Sequence, residues 1–369
     1  MKIDIITLHY INHYGSLLQT YATCKMFAKM GHNAEIIDYI RPNAEEKIQM
    51  RMALNAKGFK KMSLKGIAFV LSKKIENKKR KEFSNLFLSK YVPMTRRYKD
   101  YEDLKKNPPI ADIYVTGSDQ TWNSEYNGGV LPAYYLDFAP EDKKRIGYSV
   151  SVGMPKIPEN EYNQTKEYIE KYAAISVREN SAKEIIQNMG YNNVMQILDP
   201  TLILNHKDWL PLVAKRIVDE PYIVIYKLNS IPEIESFAEN LARKTGYKIV
   251  RMSYYLNHYK YKGKMIYSPT VEEFLSLIYH AEYVLTDSFH CLAFSLNFGK
   301  EFYAFYPSKY STRLRSLMEL TGTTDRVVES PEKFADTKID YSYVNDVLKR
   351  ERKKAIKFIT DNCETSLNK

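Results

Sequence analysis

The stretch that most constrains the fold lies at the start of the chain. Lys2 to Leu8 alternate as a β-strand and stop at a polar, glycine-bearing loop, His9 to Ser16. Leu17, Leu18, Tyr21, Ala22, Cys24, Met26 and Phe27 follow at helical spacing, Gly31 ends that helix, and Ala34 to Asp38 reads as a second strand. Strand, loop, helix and strand in so short a span form a βαβ unit, which predicts an α/β fold with a parallel sheet. The pattern resumes with strands at 110–116, 145–151, 175–179 and 194–198. After Pro221 it returns with strands at 222–226, 248–252 and 283–286, and with helices at 232–244, 271–280 and from about His290. A chain of 369 residues is too long for one ordinary core. The expectation is therefore two Rossmann-like domains, residues 1–210 and 211–342. A charged helix in 343–369 is expected to cross back toward the first.

Residues 41–108 break the alternation. They are Lys-rich, helical in propensity and without strand signals, and they read as a helical insertion with one apolar and one basic face. The net charge of the chain is +11. Between Lys47 and Lys106, 18 Lys and Arg face 5 Asp and Glu, so the basicity belongs to this segment. It is open to three readings: a solvated helical surface, a face that docks on anionic lipid, or a nucleic-acid surface. Basic amphipathic helices take the second role. The third lacks a recognisable motif and has only local charge, so lipid is favoured over nucleic acid. No apolar run approaches the ~18 residues of a membrane span. With Asp4 inside its first apolar stretch and no small-residue cleavage site, the N-terminus is expected to be a strand and not a signal peptide. Cys24, Cys291 and Cys363 are odd in number, far apart and lack metal-ligand spacing. A reducing cytoplasm fits, and no metal site is expected.

Polar groups gather just after predicted strand ends: His13 with Gly15, Gly117 to Asn123, Ser149 to Gly153, Arg178 with Glu179, and Asp287 to His290. In open α/β sheets ligands bind outside those ends, and helix N-termini there suit anions. Each group also has a local reading. Asp287 and Ser288 are good helix caps, Gly117 to Asp119 suits a turn, and Arg178 with Glu179 suits a surface pair. Gly15 completes neither common phosphate-loop pattern.

Several of these segments resemble the polysaccharide pyruvyl transferase family. They are Tyr14-Gly15-Ser16-Leu17-Leu18-Gln19-Thr20-Tyr21-Ala22, Gly117-Ser118-Asp119-Gln120-Thr121-Trp122-Asn123, and Ile175-Ser176-Val177-Arg178-Glu179-Asn180-Ser181. Leu198-Asp199-Pro200-Thr201, Thr286-Asp287-Ser288-Phe289-His290, and Ser311-Thr312-Arg313-Leu314 with Asp325-Arg326 complete the set, in family order. The resemblance implies a GT-B-like pair of Rossmann-like domains facing a cleft, acceptor side first and donor side second. It implies phosphoenolpyruvate as co-substrate, with no other cofactor. The acceptor would be a bacterial cell-envelope glycan such as an exopolysaccharide, or its lipid-linked precursor. The product would be a pyruvate ketal bridging two sugar hydroxyls, with phosphate released. It also implies that Arg178 and His290 match donor-site positions. Where some members carry Arg two residues before the histidine, this chain has Ser288.

The residue types fit that chemistry. Arg pairs bidentately with phosphate and carboxylate, which makes Arg178, Arg313 and Arg326 donor-binding candidates beside Asp287, Ser288 and Phe289. Histidine moves protons near neutral pH, so His290 is the expected catalytic acid/base. Carboxylates and amides pair with sugar hydroxyls, and aromatic rings stack on sugar faces. Tyr14, Gly15, Gln19, Ser118, Asp119, Gln120, Trp122 and Asn123 are thus the acceptor-side candidates, with Trp122 as a core plug and Asp119 as a cap equally open. Two other functions remain compatible with the same pattern: a GT-B glycosyltransferase using a nucleotide sugar, and a non-catalytic glycan-binding protein. The expected location is the cytoplasm, with peripheral contact at the inner face of the membrane through 47–106.

Overall fold

A computed structural model describes residues 1–44, 46–58, 63–307, 311–335 and 337–363. Positions 45 and 59–62 of the basic insertion and 364–369 of the C-terminal segment lie outside the described residues. The chain divides into two compact units: Met1–Ile203 together with the chain from Arg352, and Leu204–Glu351.

The first unit is built on a seven-stranded parallel sheet of order β3-β2-β1-β4-β5-β6-β7. Its strands are β1 (Lys2–Ile6), β2 (Asn33–Tyr39), β3 (Met94–Tyr98), β4 (Ile113–Thr116), β5 (Lys144–Val150), β6 (Ala174–Val177) and β7 (Val194–Gln196). β1 pairs with β2 on one side and β4 on the other, Ile3 opposite Ala34 and Ile113. The order 3-2-1-4 marks a Rossmann-type sheet, with β1 and β4 flanking the point where the winding reverses. Ile3, Ile5, Ile6 and Val115 are fully buried, as parallel strands covered on both faces require.

α1 (Tyr14–Lys29) crosses from β1 to β2. His13 caps it, its Nδ1 accepting from the Gly15 amide at 3.2 Å. α2 (Glu46–Ala56) and α3 (Leu64–Tyr91) follow β2. α3 lies on α1 through aromatic pairs, Tyr14 stacked on Phe83 at 4.7 Å and Tyr21 edge-on to Phe87 at 6.0 Å. That contact makes α3 part of the first unit's core as well as an arm. Its far side stays exposed: Leu64, Ile67, Leu71 and Ile75 are 87%, 43%, 57% and 51% accessible.

The insertion is not wholly helical, as the sequence suggested. Met94–Tyr98 is the edge strand of the sheet, with Arg96 and Arg97 exposed. Charged residues are a normal way to blunt a sheet edge. They also erase the apolar alternation by which a strand is recognised in sequence.

The second unit carries a five-stranded parallel sheet of order β10-β9-β8-β11-β12. The strands are β8 (Tyr222–Tyr226), β9 (Lys248–Ser253), β10 (Lys264–Tyr267), β11 (Tyr283–Thr286) and β12 (Glu301–Ala304). β8 is buried at all five residues and pairs with β9 and β11. The edge strands β10 and β12, four residues each, were not among the strands expected from the sequence. Helices Glu233–Thr245, Val271–Tyr279, Phe289–Asn297 and Thr312–Thr321 complete this unit. Two capping devices set their ends: a Thr270/Glu273 capping box starts one, and Gly246 at φ 76° ends another. Helix Tyr341–Cys363 ends the described chain. No helix among the described residues is long and apolar enough to cross a membrane. Each unit is thus an α/β layer structure of Rossmann topology.

Candidate functional site

In the second unit the loop between β11 and helix Phe289–Asn297 collects the expected donor-side residues. Thr286 closes β11, its hydroxyl donating to the Tyr226 carbonyl at 2.7 Å. Ser288 is the helix N-cap, its Oγ accepting from the Cys291 amide at 3.5 Å. Phe289 and His290 occupy the first turn, both nearly buried, with their rings edge to face at 5.2 Å. The Arg313 guanidinium sits 5.9 Å from the Phe289 ring. A cation, an imidazole and a helix N-terminus therefore lie near one aromatic side chain. That combination can hold an anion and move a proton next to it. The neighbouring Cys291 thiol is fully covered, and burial pushes its pKa up to about 12, so it is no nucleophile.

Asp287 has a different role from the donor contact expected of it. Its carboxylate accepts from the Leu228 amide at 2.7 Å and from the Asn229 amide and side chain at 2.8 and 2.9 Å. It staples the loop after β8 to the end of β11. Burial raises its pKa while those three donors lower it. Arg326 is also a correction. It is 2% exposed and pairs with Glu301 at 3.3 Å and Asp325 at 3.1 Å, and it donates to the Thr337 carbonyl. Its guanidinium locks the second unit's edge and is not presented to a ligand. Nearby, Lys227 and Arg251 converge on Glu235. The sequence did not flag them, because they stand singly, Lys227 just after β8 and Arg251 within β9.

In the first unit Arg178 follows β6 and meets Asp199 at 2.7 Å and Asp119 at 3.5 Å, all but buried. Asp119 also accepts from the Ser16 hydroxyl at 2.8 Å and the Gln120 amide at 2.9 Å. Asp199 accepts from Ser118 at 3.1 Å and from the Thr201 amide and hydroxyl. Glu179 Oε1 accepts from Ser151 Oγ and from the Val152 and Gly153 amides, all at 2.9–3.0 Å. One buried network thus joins the C-terminal ends of β1, β4, β5, β6 and β7. Arg178, expected to bind the donor, is held in the first unit by Asp199 and by Asp119, one of the residues expected to bind the acceptor. Its burial alone would lower its pKa, but Asp199 and then Asp119 outweigh that and raise it. Glu179 and Asp199 stood out in the sequence by their place after strands, but neither was given a role, because a carboxylate after a strand carries no signal of its partner.

The network imposes local strain that its hydrogen bonds hold. Asp119 sits at φ 79° and Ser149 at φ 52°, conformations unfavourable for side chains with a Cβ. At Gly153, φ +65°, a Cβ would come within 2.1 Å of Gln120 Oε1. Gln120 in turn accepts from Asn123 Nδ2 at 2.6 Å.

Two aromatic candidates are core residues and not sugar platforms. Trp122 is 1% exposed, stacked on Tyr135 at 5.1 Å, and donates from Nε1 to the Tyr134 carbonyl. Tyr14 is fully buried against Phe83. With both faces covered, neither ring can stack on a ligand. Gly15 lies in the first turn of α1, and the amide of Gln19 is held by Thr7, Ser16 and Thr20. Asp119 and Gln120, at 7% and 8% exposure, are the least covered of the loop candidates; Ser118 and Asn123 are at 0%. Among the described residues no cluster of His, Cys, Asp and Glu could hold a metal ion.

No curated protein matches the sequence. Several solved structures are similar in shape at low identity. UDP-GlcNAc 2-epimerase from Neisseria meningitidis bound to UDP-GlcNAc is 12% identical, over 99% of this chain and 100% of that one, with a TM-score of 0.48. MnaA from S. aureus with UDP is 12% identical over 100% and 97%, also at 0.48. E. coli heptosyltransferase WaaC with ADP is 10% identical over 84% and 88%, at 0.39. Residues 13–309 match the family model described as polysaccharide pyruvyl transferase.

Proposed function

The chain belongs to the polysaccharide pyruvyl transferase family, and from that premise we propose that it moves the pyruvyl group of phosphoenolpyruvate onto two hydroxyls of one sugar. The sugar belongs to a cell-surface polysaccharide or its lipid-linked precursor. The observation that carries this reading is the extent of the family match, most of the chain. The grouping of His290, Phe289 and Arg313 at a helix start supports it.

The reaction divides into an addition and a displacement. One sugar hydroxyl bonds to C2 of the enolpyruvyl group, its proton leaves, and the methylene carbon gains a proton and becomes methyl. The second hydroxyl then bonds to the same carbon, the C2–O bond to phosphate breaks, and phosphate departs with the second proton. His290 carries the proton between hydroxyl and methylene. Arg313 and the amides of the first turn after Ser288 neutralise the donor's charge. In the first unit the Arg178 network holds the 118–123 loop in shape, and Asp119 and Gln120 offer the acceptor contacts. The exposed stripe of Leu64, Ile67, Leu71 and Ile75 on α3, among its lysines, makes peripheral contact with anionic lipid at the cytoplasmic membrane face, where a lipid-linked acceptor resides.

Thermal shift with phosphoenolpyruvate, against phosphate, pyruvate and UDP, tests donor choice: a shift specific to phosphoenolpyruvate is expected, and one with UDP alone overturns it. His290→Gln is expected to abolish phosphate release while keeping the melting temperature. Full turnover in both His290→Ala and His290→Gln would sink the catalytic assignment. For the arm, sedimentation with liposomes at low salt is expected to depend on anionic lipid; independence counts against it.

A further inference from the structure

Beyond the ends of β1 and β2, where α2 and α3 fold over the sheet, the first unit holds a pocket of about 300 Å³. That volume is at the lower limit for a small-molecule site. Tyr10, Arg41, Glu46, Asn77, Arg80 and Lys81 are among its lining residues. Three cations thus face one carboxylate, and Glu46 is already paired with Lys81 at 2.7 Å. Arg80 donates from Nε to the Asn12 carbonyl at 2.7 Å, which fixes its guanidinium at the rim.

Arg41 is the informative residue. It is 7% exposed. Its Nη1 donates to Asn127 Oδ1 at 2.6 Å, and its Nε has no partner. Arg178, Arg251 and Arg326 are equally buried, and each meets at least one carboxylate. Arg145 meets none but donates to two backbone carbonyls. Arg41 has neither arrangement among the described residues. A buried guanidinium held only by one neutral amide is costly, because its lost hydration is not replaced. The cost is understandable if an anion completes the site, since the guanidinium fork binds two oxygens of a phosphate at once.

We propose that this pocket, lined by residues of the first unit alone, is an anion site that takes the phosphate or diphosphate group of an organic substrate. Arg41 binds two of its oxygens, and Arg80 and Lys81 balance its remaining charge. On the reading given above, that group is the phosphate linkage of the lipid-borne acceptor, so that the glycan is held by its anionic end.

The test is isothermal titration of the full chain with inorganic pyrophosphate, farnesyl diphosphate and phosphoenolpyruvate in turn. The variants are Arg41→Gln, the double variant Arg80→Gln/Lys81→Gln, and His290→Gln, each with its melting temperature measured. Pyrophosphate binding at least tenfold weaker in both pocket variants, and unchanged in His290→Gln, is the expected result. Farnesyl diphosphate binding more tightly than pyrophosphate, with the same variant pattern, assigns the anion to a lipid-linked ligand; equal affinity for the two assigns the site to free phosphates. Unchanged pyrophosphate affinity in the double variant, or no binding to the native chain, overturns the proposal whatever the donor is. The double variant lies partly at the surface and keeps the test open if Arg41→Gln does not fold. Loss of phosphoenolpyruvate binding in the pocket variants but not in His290→Gln would confirm a phosphate pocket and overturn the donor assignment to the second unit instead.

Discussion

At the scale of single residues, the buried charges decide more than the exposed ones. Arg178 is the ionic partner of Asp199 and Asp119. Removing it leaves two buried carboxylates uncompensated, which costs about 3–5 kcal/mol. Arg178→Ala is therefore expected to shift the urea midpoint strongly downward, and any loss of turnover in it reports structure first. A smaller stability loss in Arg178→Ala than in Arg178→Lys would contradict this. Asp4, fully buried on β1, gives a pH prediction. Burial pushes its carboxyl up to about 7, Lys2 opposes that, and Glu35 adds to it. A carboxyl with a raised folded-state pKa favours the folded state at low pH, and that contribution is lost as pH rises from about 4 through about 7. Unfolding titrations at pH 3 and pH 8 are expected to show Asp4→Asn gaining on the native chain only at pH 8. Neither role was legible in sequence, since a lone Asp in a strand looks like any other and its neighbours Glu35 and Asp112 are distant along the chain.

At the scale of elements, caps and packing faces set what each segment can do. Ser288 starts the helix that bears His290, and replacing an N-cap serine by alanine costs about 1 kcal/mol. Ser288→Ala is expected to lose about that much stability, with a larger fractional loss of donor affinity than of acceptor affinity. α3 offers a sharper case. Phe87 is 1% exposed and lies against Tyr21 and Tyr91. Phe87→Ala leaves a cavity there and is expected to cost about 3–5 kcal/mol. Leu71→Ser, on the exposed stripe, is expected to leave the urea midpoint nearly unchanged and to lower liposome binding. The helical character of this insertion was legible from its composition. The strand β3 within it was not, because its exposed arginines serve the sheet edge.

At the scale of the whole molecule, the first unit is finished by the last described residues. Ala355, Phe358, Ile359 and Cys363 are buried, Arg352 donates to the Leu202 carbonyl at 2.7 Å, and Lys144 donates to the Asn362 carbonyl. Phe358→Ala is therefore expected to destabilise the first unit by about 3–5 kcal/mol, seen as an earlier unfolding transition, although it lies far from that unit in sequence. The sequence by itself determined the α/β class, most parallel strands, the basic insertion and the family blocks. It did so because a strand's apolar run and a helix's spacing are local patterns, written in consecutive residues. Only the tertiary structure decided which polar residues are partners. It moved Arg178 into a carboxylate network, turned Trp122 and Tyr14 into core, made Asp287 a loop staple, and left Arg41 facing a pocket without an ionic partner. The physical reason is that a charge's role depends on burial and on the groups within a few ångströms of it. Those groups come from strand ends that the sheet brings together and the sequence keeps apart.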